Sequence, residues 1–203
     1  MLQHPVPRLV LASASASRRA LLAAAGLAFA VRPAEVDEAA AKLAARAEGI
    51  DARQAALRLA ELKARRIAMD DPTAMVIGAD QILVCDGVWF DKPANVAAAR
   101  EQLRALRGRS HVLATAVACQ QGGLCTWRHI AEPRLAMRDF SDEFLEDYLA
   151  EEADDVTSTV GCYRLEGRGV HLFDRIDGEH SAILGLPLLP LLAFLRTQGV
   201  VLS

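Results

Sequence analysis

Apolar and polar residues recur along this chain with two different periods, and each period predicts one kind of element. Short apolar runs and stretches of alternating polarity predict strands at 8–12, 29–31, 74–84, 88–90, 110–119, 124–138 and 169–176. Apolar positions at helical spacing predict helices at 18–25, after residue 38, and at 51–69, 95–106, 141–151 and 187–199. Strands and helices therefore follow each other throughout the chain.

This mixture shows no internal repeat, no low-complexity linker and no sharp change of composition. It predicts an α/β fold, with a mixed, twisted sheet flanked by helices and two lobes around a central cleft. Because no linker divides the sequence, we expect a single domain over residues 1–203.

The charge balance and the cysteines narrow the class of protein. Lys and Arg together number 23 and Asp and Glu 26, which gives a net charge of −3 without a long basic stripe. We therefore expect no stable binding to nucleic acid. The sequence shows no export signal and no membrane-spanning stretch, and its four cysteines lie far apart. These features predict a reduced, cytoplasmic protein that does not enter membranes, and enzymes of this size often form homodimers.

The predicted strand at 74–84 carries the first candidate for chemistry. It passes Gly78 and then presents Asp80, so a carboxylate reaches the edge of a sheet. Lys92 follows at short range and is fixed in place by Pro93, which adds a positive charge. The pair indicates phosphate chemistry, whereas either residue alone is better interpreted as a solvated surface side chain.

The turn between the first strand and the first helix is a candidate anion site. Such a turn collects free backbone N–H groups at the positive end of the helix dipole. Ser13, Ser15 and Ser17 add hydroxyl groups there, and Arg18 adds a forked cation that suits phosphate oxygens. The structural alternative is that one serine caps the helix, the others fill the turn, and the arginine is solvated.

Other charged residues have both a functional and a structural interpretation. Glu35, Asp37 and Glu38 form a compact acidic group, which suits a hard divalent cation or simply an acidic loop before a helix. Lys63 belongs to a predicted helix rich in charges, where a lysine ordinarily lies on the solvated face. Glu166 is either a surface residue before a glycine or an acceptor for the N–H edge of a guanine-type base.

Several enzyme classes are disfavoured by what the sequence lacks. The histidines do not share metal-ligand spacing, no serine or cysteine lies in a nucleophile elbow, and no GxxxxGK[ST] loop is present. A zinc enzyme, a serine hydrolase and a P-loop ATPase therefore do not fit.

Four separated regions resemble one family. They are LASASASRRALL at 11–22, EVDE at 35–38, GADQ at 78–81 with DKP at 91–93, and GCYRLEG at 161–167 with GLP at 185–187. In order and spacing they resemble the Maf family of nucleoside triphosphate pyrophosphatases over nearly the whole chain. The resemblance implies a fold of the Maf and inosine-triphosphatase type. It also implies hydrolysis of the α–β phosphoanhydride, which gives the nucleoside monophosphate and inorganic diphosphate. The reaction would serve nucleotide housecleaning and would use a divalent cation, Mg²⁺ or Mn²⁺.

The same resemblance assigns roles to individual residues. It makes Asp80 the catalytic proton acceptor and associates Asp37 with the metal. The basic positions that it places near the substrate phosphates are Arg18, Lys63 and Lys92. Ser13 and Ser15 of the candidate anion site are expected to bind phosphate with them. The sequence itself leaves open whether Asp80 acts as a base or as a metal ligand.

Three positions resemble the determinants of base selectivity in the family, namely Ser17, Gln81 and Glu166. Members that act on dTTP and UTP usually have Arg, Thr and Gln there, whereas the 7-methyl-GTP branch has Gln and Glu at the second and third. This chain is therefore more similar to the 7-methyl-GTP branch. It departs from that branch where Ser17 replaces a bulky aromatic residue and Ala16 replaces a proline, which leaves the base preference open.

The alternatives to a 7-methyl-GTP enzyme are a dTTP and UTP pyrophosphatase, an enzyme of the inosine-triphosphatase type, and a nucleotide-binding regulator of cell division without turnover. The presence of both Asp80 and Lys92 favours an enzyme over a regulator.

Overall fold

The computed structural model describes residues 3–153 and 155–202. Its strands are β1 (Leu9–Leu11), β2 (Phe29–Val31), β3 (Met75–Cys85), β4 (Val88–Phe90), β5 (Ser110–Gln121), β6 (Leu124–Ala131), β7 (Arg134–Met137) and β8 (Phe173–Asp177). Its α-helices are α1 (Ala16–Ala24), α2 (Glu38–Ala47), α3 (Ala52–Ala68), α4 (Val96–Leu106), α5 (Asp142–Glu151), α6 (His180–Ile183) and α7 (Leu188–Thr197). Within the described residues, no helix is long and apolar enough to cross a membrane.

The strands form a mixed sheet, as the sequence predicts. The strand order is β2-β1-β3-β5-β7-β8, with β4 paired to β3 and β6 paired to β5. Strand β1 is parallel to both β2 and β3, whereas the β3–β4, β5–β6, β5–β7 and β7–β8 pairs are antiparallel. The parallel pairs are joined through helices, and the β3–β4 and β5–β6 pairs are joined by two-residue turns, which is the expected relation between connection and direction. The β5–β7 connection runs through β6, and the β7–β8 connection contains α5.

The chain divides into two compact units, each of which is discontinuous in sequence. The first unit contains residues 1–80, 115–131 and 180–203. Its core joins the apolar residues of β1 and β3 to one face of α1 and to α7, and it includes Leu11, Leu22, Ile77 and Leu195. Helix α3 packs its buried alanines, among them Ala64 and Ala68, against Val10 of β1 and Val76 of β3.

The second unit contains residues 81–114 and 132–179. Its β3–β4 hairpin turns at Asp86 and Gly87, whose φ angles are 49° and 79°, as the Asp-Gly pair predicts. Helix α4 begins after the capping residue Asn95, and α5 begins after Ser141, both at the predicted positions.

Two predicted strands are wrong in part. The strand predicted at 124–138 is divided into β6 and β7, because Pro133 between them has no N–H to donate to a ladder. The strand predicted at 169–176 begins as a 3₁₀ helix, Arg168–Leu172, and only β8 is extended. Gly169 packs so tightly there that a Cβ would lie 2.5 Å from the Arg164 carbonyl oxygen, so the segment folds back on the preceding turn.

Candidate active site

Gly78 brings strand β3 into close contact with helix α3. A Cβ added at Gly78 would lie 2.1 Å from the Ala60 carbonyl oxygen and 2.7 Å from the Ala64 amide nitrogen. Only glycine therefore allows the two backbones to approach this closely. Lys63 projects from the adjoining part of α3, and Asp80 lies two residues beyond Gly78 on the same face of the strand. The close contact thus brings a lysine and an aspartate together.

Lys63 links two carboxylates in this first unit. Its Nζ lies 2.6 Å from Asp80 Oδ1 and 2.7 Å from Glu38 Oε1. The exposed fractions of the Lys63 and Asp80 side chains are 8% and 6%, whereas that of Glu38 is 47%. The interpretation of Lys63 as a solvated lysine is therefore wrong, because its ammonium group is buried between two carboxylates.

The second carboxylate oxygen of Asp80 is the chemically unusual atom. Asp80 Oδ2 is buried, and within residues 3–153 and 155–202 it has no hydrogen-bond partner. A buried acceptor without a partner costs free energy, so such atoms call for an explanation. An oxygen of this kind is able to accept a proton from water or to ligate a cation.

Arg18 is buried next to Asp80 and binds three protein acceptors. Its Nη1 donates to Ser13 Oγ at 3.1 Å and to the Ala79 carbonyl oxygen at 2.8 Å, and its Nε donates to the Gly185 carbonyl oxygen at 2.8 Å. A guanidinium has five N–H donors, so among residues 3–153 and 155–202 the Nη2 pair is left for other acceptors. Because Ala79 immediately precedes Asp80, these bonds also fix the peptide that leads into the carboxylate.

Burial lowers the pKa of the Arg18 guanidinium, and the negative charges of Asp80 and Glu38 oppose that effect. The two carboxylates therefore help to keep a buried cation charged. Together with Lys63 they make a compact group of two cations and two anions in the first unit.

The sequence offers helix capping as the structural role of one serine in this turn, and the start of α1 confirms it. Ser15 is the N-cap, and its Oγ accepts from the Arg18 amide at 3.4 Å. The Ser15 amide donates to Ser13 Oγ at 3.3 Å, so Ser13 belongs to the same turn. Ser17 is half-buried in the first turn of the helix. The solvated alternative for Arg18 is wrong, because this side chain is buried.

The acidic group at 35–38 is not a cage of carboxylates. Asp37 is exposed and caps α2, with its Oδ1 accepting from the Ala40 amide at 2.9 Å, and Glu38 is bound to Lys63. Within the described part of the chain, no group of three or more His, Cys, Asp or Glu side chains is arranged to hold a metal ion. Mg²⁺ usually takes one or two protein carboxylates and completes its shell with water and phosphate oxygens. The unpartnered Asp80 Oδ2 fits that requirement.

The other predicted residues belong to the second unit. Gln81 follows Asp80 on β3 and is half-buried, and Lys92 is exposed in the connection between β4 and α4. Glu166 is exposed in the turn that precedes the 3₁₀ helix. Their proposed roles in phosphate binding and base selectivity stay predictions.

Sequence reasoning missed two features of the site. It did not foresee that Glu38 binds Lys63, since no pattern in α2 or α3 indicates which of their many charges meet. It also gave no role to Gly185, whose φ is 99° and whose carbonyl accepts from Arg18. The GLP segment at 185–187 was visible as a motif, and the buried arginine is the reason for its glycine: a Cβ would lie 3.1 Å from Arg18 Nε.

Comparison with known proteins agrees with the motifs. A family model described as Maf-like protein matches residues 8–198. A nucleoside triphosphate pyrophosphatase of Granulibacter bethesdensis is 52% identical over 189 residues, which cover 93% of this chain and 96% of that protein. A nucleoside triphosphate pyrophosphatase of Rhodospirillum rubrum is 50% identical and covers 98% of both chains. A 7-methyl-GTP pyrophosphatase of Rhizobium meliloti is 43% identical and covers 96% of this chain and 98% of that protein. The chain therefore belongs to the Maf family.

Proposed function

We propose that this protein is a nucleoside triphosphate pyrophosphatase, which hydrolyses the α–β phosphoanhydride of its substrate. The products are the nucleoside monophosphate and inorganic diphosphate. The observation that carries the proposal is the buried, unpartnered Oδ2 of Asp80 beside the cations of Lys63 and Arg18. Relatives at 50–52% identity bear the name of this activity.

In the proposed reaction, the oxygen of a water molecule bonds to the α phosphorus and the bridging oxygen leaves with the diphosphate. Asp80 Oδ2 accepts the proton of that water, while Lys63 holds Oδ1 at 2.6 Å and so fixes the orientation of the carboxylate. Positive charge from Lys63 and from the Nη2 group of Arg18 offsets the charge that develops on the phosphate oxygens. Ser13 and Ser15 hold the turn that positions Arg18, and Lys92 is a further proposed phosphate ligand.

A divalent cation, Mg²⁺ or Mn²⁺, belongs to this proposal. The exposed carboxylate of Asp37 is the group that would hold it, with water and phosphate oxygens as the remaining ligands. When bound, such a cation polarises phosphate oxygens and neutralises the charge of the leaving diphosphate.

Substitution of Asp80 by asparagine tests the catalytic role, because the amide keeps an oxygen for Lys63 and removes the basic group. We expect kcat for diphosphate release to fall about 10²–10⁴-fold, the range of general base catalysis. Asp70→Asn, at an exposed aspartate of the same unit, is the matched control and should keep the parent rate. Near-normal turnover of Asp80→Asn would exclude Asp80 from the reaction, and binding without any turnover by the parent protein would favour a nucleotide-binding regulator.

We further propose a modified guanine nucleotide such as 7-methyl-GTP as the preferred substrate. Gln81 and Glu166 support it, as does the 43% identity to a protein named 7-methyl-GTP pyrophosphatase. With Mg²⁺ and with Mn²⁺, we expect kcat/KM for 7-methyl-GTP to exceed that for UTP and dTTP by about tenfold or more. Equal values would contradict this preference, and higher values for UTP and dTTP would favour the alternative substrate class.

A cytoplasmic location and a homodimer complete the proposal. The location is supported by four free cysteines, of which Cys85, Cys119 and Cys162 are buried. Fractionation of cells that express the protein tests the location. Analytical ultracentrifugation tests the dimer, and a single species of 21.9 kDa would exclude it.

A further inference from the structure

The segment Gly161–Tyr163 in the second unit holds an unusual backbone conformation. Gly161 and Cys162 are consecutive residues with φ of 79° and 64°, and Cys162 adopts the left-handed region in spite of its side chain. All three residues are nevertheless buried. Residues held in such conformations persist only where their surroundings impose them, and they cluster at binding sites. The segment ends three residues before Glu166.

Buried hydrogen bonds impose this conformation. The Tyr163 hydroxyl and His111 Nε2 share a hydrogen bond of 2.7 Å, and both side chains are almost fully buried. Tyr148 donates from its hydroxyl to the Cys162 carbonyl oxygen at 2.9 Å, and Thr159 donates to the Tyr163 carbonyl oxygen at 2.9 Å. An irregular segment is thus tied from both sides to α5 and β5.

Glycine is required at the centre of these contacts. A Cβ at Gly161 would lie 2.5 Å from the Tyr163 ring and 2.6 Å from Leu83 Cδ1. The Tyr163 ring also meets Phe173 edge-on, with centroids 4.8 Å apart. The ring of Tyr163 is therefore fixed by packing as well as by its hydroxyl.

The turn that presents Glu166 continues directly from Tyr163. The Gly167 amide donates to the Arg164 carbonyl oxygen at 3.2 Å, which places Glu166 inside a tight turn. Gly169 packs against the same Arg164 backbone. Glu166 is exposed, whereas Leu165 before it is buried. A rigid, buried support therefore ends in one solvent-facing carboxylate.

We propose that His111 and Tyr163 are positioning residues for base selectivity, because they hold the turn that aims Glu166 at the N–H edge of a guanine-type base. This inference rests on the proposed function. A carboxylate discriminates well between bases only when its position is fixed, since a mobile acceptor adapts to several donors. The Tyr163 hydroxyl, which is buried and bonded to His111, therefore acts on the base through Glu166.

Substitution of Tyr163 by phenylalanine removes the hydroxyl and keeps the ring. The measured quantity is the selectivity ratio, kcat/KM for 7-methyl-GTP divided by kcat/KM for UTP. We expect Tyr163→Phe to lower this ratio about tenfold, mainly by raising KM for 7-methyl-GTP, with kcat within about threefold of the parent. Leu145→Val, at a fully buried leucine of α5, is the control for a general loss of stability and should leave the ratio unchanged.

A double-mutant cycle with Glu166→Gln separates positioning from simple destabilisation. If Tyr163 acts through Glu166, the double variant lowers the selectivity ratio no further than Glu166→Gln alone. Three outcomes would each overturn the inference. They are additive effects of the two substitutions, an unchanged ratio in Tyr163→Phe, and an unchanged ratio in Glu166→Gln. A parent protein that releases no diphosphate from any triphosphate would overturn the proposed function and this inference together. Normal parent turnover with an unaffected ratio would overturn the inference alone.

Discussion

Gly78→Ala is the substitution that most severely tests how the catalytic pair is positioned. The added Cβ would lie 2.1 Å from the Ala60 carbonyl oxygen and 2.9 Å from the Ala64 Cβ, and both atoms belong to α3. Carbon atoms in contact lie roughly 3.5 Å apart or more, so α3 must withdraw by about 1 Å. Overpacking of this kind costs about 3 kcal/mol. Alanine lowers the backbone entropy of the unfolded chain, and this offsets about 1 kcal/mol of the overpacking cost.

The net loss of about 2 kcal/mol should lower Tm by about 4–8 °C for a chain of this size. Since Lys63 moves with α3, its 2.6 Å contact with Asp80 is disturbed as well. A misplacement of about 1 Å costs about 10²-fold in kcat. Differential scanning calorimetry and steady-state kinetics measure the two effects.

Gly167→Ala is the control for these measurements of stability, because its φ is −134° and the nearest atoms to an added Cβ lie 3.9 Å away. Its Tm should stay within about 1 °C of the parent, since ordinary van der Waals contacts and a negative φ carry no penalty. A Gly78→Ala variant with parental Tm and kcat would refute the claim that this close contact positions Lys63.

Two further predictions concern stability alone. Asp51 caps α3 by accepting from the Gln54 amide at 2.8 Å, so Asp51→Ala should lower Tm by about 2–4 °C, as expected for the loss of a cap, and leave kcat within about twofold. A parental Tm would show that this cap is not needed. Burial lowers the pKa of His111 from 6.5 to about 4. Between these pH values His111 is protonated in the unfolded chain and neutral in the folded chain. Stability should therefore fall by up to about 3 kcal/mol as the pH drops from 6.5 to 4. Tm measured against pH should have a shallower acid slope in His111→Asn, and equal slopes would contradict the account.

The fold follows closely from local patterns where one physical signal dominates. The Asp-Gly pair at 86–87 specifies a hairpin, and Asp51, Asn95 and Ser141 mark the helix starts because their side chains cap free amides. Prediction was wrong where chain geometry overrode the polarity pattern. Pro133 interrupts a strand whose alternation continues on both sides, and tight packing at Gly169 turns a strand-like sequence into a 3₁₀ helix.

The candidate site was predictable as a set of residues but not as an arrangement. Asp80 could be singled out because a carboxylate at the end of a buried strand is unusual. The burial of Lys63 was hidden, since its helix carries many charges and only the contact at Gly78 determines which one meets Asp80. The bonds of Arg18 to Ala79 and Gly185 join positions far apart in the chain, and no local pattern encodes such pairings.

Analysis of the products in ¹⁸O-labelled water is the most direct test of the proposed activity. With 7-methyl-GTP and Mg²⁺, ³¹P NMR should show nucleoside monophosphate and inorganic diphosphate in equal amounts, with the label on the monophosphate. Asp80→Asn should form both products about 10²–10⁴-fold more slowly. Release of orthophosphate with a nucleoside diphosphate, or unchanged product formation by Asp80→Asn, would contradict the account.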